Sequence, residues 1–305
     1  MEALDKKQAQ GLPQPVRILW ILIAITSILS LLYAIQYYLG GPIRLSVVAE
    51  IKSLDLSPDS TQLAAGNSEG KVDIWTVATE IPTGVDREFQ VAGEEPWPKQ
   101  TLDIGSGEPV WATTFTPDGG TLVAVAGDGV VQSWSVPEYA LLEEQDLQVG
   151  SLNDAALTDD GRYLAALAED GTIHIFDRIA GQEVQTIGPG DEPRLVVAIN
   201  AEGTLVAAGR GTGIRVWSAR TGEQVQAMDT YCEDPTLTTE EACDDAREDW
   251  LGHDEEVTAL AFSPDGELLA SGSADTTDIF WELETGEVAA DSVGHWSAVT
   301  TMTFS

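Results

Sequence analysis

GHDEEVTALAFSPDGELLASGSADTTDIFW, residues 252–281, is the stretch on which the reading of this chain turns. Val257, Leu260 and Phe262 lead into the turn Ser263-Pro264-Asp265-Gly266, the run LLASGS follows, and after a second turn at Asp275 a strand closes on Trp281. Apolar alternation bounded by Pro, Asp and Gly marks short antiparallel strands, because side chains alternate faces along a strand and these residues favour the dihedral angles of turns.

The same grammar recurs outward from this unit. Matching turns stand at SPDS (57–60), TPDG (116–119), TDDG (158–161) and NAEG (200–203). The steps from Asp118 to Asp160, Asp160 to Glu202 and Ser263 to Ser305 are each 42 residues. From Asp59 to Asp118 is 59 and from Glu202 to Asp265 is 63, one period plus 17 and 21, so two units carry insertions, near 80–107 and 229–251. Third strands close on Trp75, Trp134, Phe176, Trp217 and Trp281, and a fourth strand follows, as in QEVQTI (182–187). The last line, GHWSAVTTMTFS (294–305), opens as residues 252–263 do and reads as the first strand of a sixth unit, so the sequence is expected to continue past Ser305.

A four-stranded unit of this size cannot bury both faces alone and must stack on copies of itself. The expected architecture is therefore all-β, a β-propeller of four-stranded blades over 51–305, with five units complete. Gly252-His253, the turn residue Asp275 and Trp281 resemble the GH, Asp and WD-type positions of a WD-repeat blade. That resemblance implies a full ring of seven blades, closed by a strand within 40–50 that joins the last blade. It also implies a buried hydrogen-bonded set of His, Ser or Thr, Asp and Trp that fixes each blade, which gives His253, Asp275, Trp281 and His295 structural roles. The pattern departs elsewhere: the GH pair precedes only the fifth and sixth units, and the turn Asp is Glu69 in the first and Gly211 in the fourth. Trp217 has no His or Asp partner, and Asp278 stands where an inward-facing aliphatic residue is usual.

Ahead of the repeats, a short tail (1–17) precedes ILWILIAITSILSLLYAIQYYL (18–39), 22 mostly apolar residues without a charge. As a helix they extend about 33 Å, enough to cross a hydrocarbon core of about 30 Å. Trp20 near one end and Tyr37 and Tyr38 at the other fit an aromatic belt. The segment reads as one transmembrane helix, an uncleaved signal-anchor. A cleaved signal peptide ending near Val47-Val48-Ala49 is the rival, and the length of the apolar run argues against it. Lys6, Lys7 and Arg17 before the helix, against Arg44 and Lys52 after it, lean toward an inside N-terminus and an extracytoplasmic propeller, at a cell surface or in a periplasm or lumen. Thr26, Ser30 and Ala34 form a small-residue stripe suited to close approach by another transmembrane helix; the blander reading is that lipid tolerates small residues.

Cys232 and Cys243 lie together in the second insertion. In an oxidising compartment they would close a short surface loop by a disulfide, and two free surface thiols are the other reading. No nearby Cys or His gives a convincing metal-ligand spacing, so no metal is expected. The 15 Lys and Arg against 51 Asp and Glu give a net charge of −36. Such a chain lacks the basic stripe needed to neutralise phosphates, which disfavours nucleic acid and docking on anionic lipid. The acidity reads either as solubility or as a field that attracts a cationic partner.

No nucleophile elbow, phosphate-binding glycine loop or zinc-type His cluster is present, and His174 sits at an alternating strand position. The expectation is therefore not an enzyme and no cofactor, but a membrane-anchored interaction scaffold or accessory subunit. Its partners would be other proteins, with the bilayer held through 18–39. The alternative is a quinoprotein-like extracytoplasmic propeller enzyme with its site over the central channel and in blades beyond this sequence. By resemblance, partner contacts fall at the start of the first strand of each blade, at Lys52, Trp111, Asn153 and Thr258, and near the turns, at Glu169 and Arg210. Trp111 stands out, because Val110 takes the inward position and alternation points the indole the other way. The competing reading folds EEPWPKQ (94–100) over Trp111.

Overall fold

The computed structural model describes residues 49–76, 99–189, 194–229, 231–232, 250–293 and 295–304. Five four-stranded antiparallel sheets are formed, each an up-and-down meander in sequence order. The first holds β1 (Ile51–Leu56), β2 (Gln62–Asn67), β3 (Lys71–Thr76) and β4 (Lys99–Asp103). The second holds β5 (Val110–Phe115), β6 (Thr121–Ala126), β7 (Val130–Ser135) and β8 (Leu141–Asp146), and the third β9 (Leu152–Leu157), β10 (Tyr163–Ala168), β11 (Ile173–Asp177) and β12 (Gln182–Ile187). The fourth holds β13 (Arg194–Ile199), β14 (Leu205–Arg210), β15 (Gly213–Ser218) and β16 (Gln224–Met228). After a two-stranded ladder of β17 (Tyr231–Cys232) and β18 (Trp250–Leu251), the fifth holds β19 (Val257–Phe262), β20 (Leu268–Ser273), β21 (Thr277–Glu282) and β22 (Val288–Val293).

First strands of successive sheets lie against one another, β1 beside β5, then β9, β13 and β19, which is the arrangement of propeller blades around an axis. The turn between the first two strands of a blade follows from its sequence. Ser57, Thr116, Thr158 and Ser263 each donate a hydroxyl to the Asp two residues on, at 2.6–2.7 Å. The same hydroxyl then accepts the N–H that restarts the chain, as at Leu268. Such side-chain bonds mimic a backbone turn, which is why the SPDG pattern punctuates the repeat.

Third strands alternate strictly between blade interfaces. Val72 and Ile74 pack forward with Phe115, Leu122 and Trp134 of the next blade. Ile173 and Ile175 meet Val197, Val206 and Trp217, and Ile214 and Val216 meet Val257, Leu269 and Trp281. The closing aromatic of each blade from the second to the fifth thus points backward into its predecessor. Two interfaces, first to second and fourth to fifth, also need a close approach: a Cβ on Gly209 would lie 3.0 Å from Val257 Cβ, and one on Gly66 would meet Val110. Only glycine lets the following unit's valine seat there.

Residues 295–304 form no strand, which corrects the expectation of a first strand in a sixth unit, yet they are placed as one. Val299 is buried beside Gly272, and its N–H bonds Ser273 O at 3.0 Å. Leu152 and Val257 bond the carbonyls of Gly127 and Gly211 in the same way at 2.7 and 2.9 Å. Among the described residues no further strand lies alongside to supply the ladder bonds that would make this segment a strand.

One boundary shifts. Residues 99–103, inside the insertion read near 80–107, form β4, which pairs with β3 and belongs to the blade. The second insertion is pinched at its base, where Cys232 pairs with Trp250. Residues 18–39 with Thr26, Ser30 and Ala34, most of 40–50, residues 94–98 and Cys243 lie outside the described residues. Among the described residues no helix is long and apolar enough to cross a membrane.

Candidate functional site at the upper end of the blades

In four blades one backbone bond ties the residue before the first strand to the turn between the second and third: Ser68 to Glu50, Gly127 to Pro109, Glu169 to Ser151 and Ala274 to Glu256. These bonds define a common end of the sheets, called here the upper end. The fifth blade braces it with the fullest side-chain network. His253 Nδ1 lies 3.1 Å from Asp275 Oδ2, its Nε2 lies 2.7 Å from Ser271 Oγ, and Trp281 Nε1 donates to that same oxygen at 2.7 Å.

The charge of Asp275 and the burial of His253 set the direction of this chain. Burial alone would raise Asp275, but the Thr277 hydroxyl, the N–H groups of Asp254 and Thr277 and the neighbouring His253 hold its carboxyl below the usual range. Asp275 therefore accepts from Nδ1–H, and Ser271, accepting from Trp281, donates to Nε2. That leaves His253 neutral, in keeping with burial pushing its pKa down against the pull of Asp275. Every polar atom on this path is used in holding the blade.

Other blades reach the same end differently. In the first, the N–H of Lys71 goes to Asn67 Oδ1 at 3.2 Å, while Glu69 pairs with the Lys71 ammonium. In the fourth, buried Arg194 lays its guanidinium 4.8 Å above the Trp217 ring and donates to the carbonyls of Gly171 and Gly188 at 2.6 and 2.9 Å. Trp217, without the His or Asp partner of the WD pattern, thus has a cationic one instead. His295 Nε2 meets Asp278 Oδ2, and His174 Nδ1 meets Glu183 Oε1 at 2.7 Å.

The second residue of each first strand is brought to this end: Lys52, Trp111, Asn153, Leu195 and Thr258. Leu195 was missed in the sequence, although its offset within the repeat marks it as clearly as the other four, and it is 40 % exposed. Trp111 is half-buried, and its indole N–H donates to Leu152 O of the next blade at 3.1 Å. Thr258 makes the matching bond to Val299 O. Glu169 is exposed and Arg210 half-buried beside these positions.

Two carboxylates join blades deeper in the ring. Asp55 Oδ2 accepts Phe115 N–H at 2.6 Å, and Asp154 Oδ2 accepts Val197 N–H at 2.8 Å. Burial raises Asp55 to about 6 and Asp154 to about 7, outweighing those N–H donors. Among the described residues no group of three or more His, Cys, Asp or Glu side chains is arranged to hold a metal ion.

The model of the WD domain, G-beta repeat, matches residues 97–135, 145–177 and 247–282. These matches contain the first three strands of the second, third and fifth blades. The first three strands of the first and fourth blades, which lack the turn Asp, fall outside the matches yet form the same sheets. The chain is 26% identical over 197 residues to the Periodic tryptophan protein 2 homolog of Dictyostelium discoideum, covering 63% of this chain and 19% of that protein. It is 22% identical over 256 residues to Striatin-4 of Mus musculus, covering 80% and 30%. With an uncharacterized WD repeat-containing protein of Synechocystis sp. the identity is 28% over 198 residues, covering 63% and 48%. The chain spans between a fifth and about half of these curated relatives. Its second, third and fifth sheets thus match the WD repeat, the five sheets together are consistent with a WD propeller, and WD-repeat proteins in general act as protein-interaction scaffolds.

Proposed function

We propose that this protein is a membrane-anchored scaffold that docks another protein on the upper end of its blades. The observation that carries the reading is the gathering of Lys52, Trp111, Asn153, Leu195 and Thr258 on one end of the ring, with aromatic and aliphatic surface set among exposed carboxylates. Binding energy concentrates where a few aromatic and apolar side chains are ringed by polar groups. Residues 18–39 supply the anchor, with the propeller extracytoplasmic and Cys232 joined to Cys243. A photo-reactive residue at position 195 should cross-link one protein in intact membranes, and the same residue at Val225, exposed on an outer strand, should not. Equal labelling from both positions overturns the docking face. Release of the chain from membranes by alkaline carbonate, which leaves spanning helices in place, overturns the anchor.

A further inference from the structure

Lys52 and Trp111 come from adjacent blades and meet at the upper end. The Lys52 ammonium stands 5.2 Å from the centre of the Trp111 ring and is bonded to Glu50 Oε1 at 2.9 Å. The ring is held in place: its N–H is committed to Leu152 O, and Gly127 lets its nitrogen edge lie against the turn, since a Cβ there would come within 3.2 Å of Nε1. With its one hydrogen-bond donor used, the indole offers a partner its π face, which carries negative potential and attracts cations. The surroundings favour the same sign. Glu50, Glu108, Glu169, Glu255 and Glu256 are exposed at this end, and Lys71 is already paired with Glu69.

We propose that the Trp111 ring face is the seat for a lysine or arginine side chain of the docking protein, and that Lys52 occupies this seat in the unbound protein. The inference rests on the reading of the upper end as the docking face. On binding, the incoming cation takes the ring and Lys52 swings off it, keeping Glu50 as its partner. Lys52 is thereby a built-in competitor, and the seat selects partners able to displace it.

The test is calorimetric titration of the full chain with a hexalysine peptide, comparing Lys52→Met, Lys71→Met and Trp111→Leu. Lys71→Met removes the same charge at the same end without touching the ring, so it reports the change due to net charge alone. Lys52→Met should tighten binding at least five-fold beyond Lys71→Met, and Trp111→Leu should weaken it about ten-fold. Equal effects of the two lysine substitutions overturn the proposal, as does unchanged affinity of a folded Trp111→Leu protein. Should that variant unfold, the lysine pair alone decides. Cross-linking from position 195 together with equal lysine effects would retain the docking face and remove the cation seat.

Discussion

His295 Nε2 lies 2.8 Å from Asp278 Oδ2, which joins the segment after the fifth blade to a core position where that blade departs from the other four. Val72, Val131, Ile173 and Ile214 fill the equivalent sites at 0–1 % exposure, and Asp278 is itself only 3 % exposed. Removing one partner of a buried polar pair leaves the other desolvated, whereas an apolar replacement of the pair is close to neutral. His295→Ala should therefore destabilise by about 1–3 kcal/mol in urea unfolding. Asp278→Val combined with His295→Ala should recover most of that loss. A neutral His295→Ala would show that the pair contributes nothing.

Ser271 Oγ serves both Trp281 and His253, so Ser271→Ala strands two buried ring nitrogens at once. The expected cost is about 2–4 kcal/mol, the lower part of the range for two unsatisfied buried groups. Hydrogen exchange should quicken in β19–β22 and leave β9–β12 unchanged, because repeat stability is carried by each unit and its neighbours. Uniform quickening across all five blades would contradict this.

The pH dependence has a definite sign. The folded-state pKa values of Asp55 and Asp154, about 6 and about 7, lie above the ordinary 3.8, so the folded protein binds more protons between these limits. Their contribution is fully present below about pH 4 and is lost as pH rises toward 7. His253 and the turn carboxylates Asp59, Asp118 and Asp265, all shifted downward, oppose this by favouring higher pH. Asp154→Asn keeps an oxygen for Val197 N–H and cannot ionise. Its melting temperature relative to the unsubstituted protein should rise from pH 4 to about pH 7 and level off above that. A difference that stays flat with pH would mean that Asp154 titrates normally.

Much of this was legible because it is local. The hydroxyl of Ser263 and the carboxylate of Asp265 are two residues apart, so their turn is written in four letters and repeats with the period. Asp275 and His253 were legible by resemblance. What escaped depends on neighbours distant in the chain: Asp154 reaches 43 residues ahead to Val197, and Arg194 reaches back 23 to Gly171. Arg194 did leave a trace, since it occupies the offset of Val110, Leu152 and Val257, where a cation is out of place. β4 escaped notice inside the insertion read near 80–107, because the first unit exceeds the period by 17 residues. Trp111 was expected to face away from the core, and its half-buried state follows from the Leu152 carbonyl of a blade that sequence periodicity cannot position.

Two glycines separate close approach from simple flexibility. A methyl group on Gly209 would stand 2.9 Å from Val196 Cγ1 and 3.0 Å from Val257 Cβ, inside the junction of the fourth and fifth blades. Neither neighbour can yield cheaply, because Val257 is 1 % exposed and its N–H is fixed to Gly211 O. Gly209→Ala should cost about 1–3 kcal/mol, the usual penalty for overpacking a core. Gly188 meets nothing within 4 Å and does not hold a left-handed backbone angle. Gly188→Ala should be neutral or stabilise by about 0.4–1 kcal/mol, by narrowing the unfolded ensemble. The carbonyl of Gly188 that accepts from Arg194 is untouched by the change. Paired unfolding curves decide the matter: equal effects at the two positions would mean that blade packing at Gly209 is looser than its contacts imply.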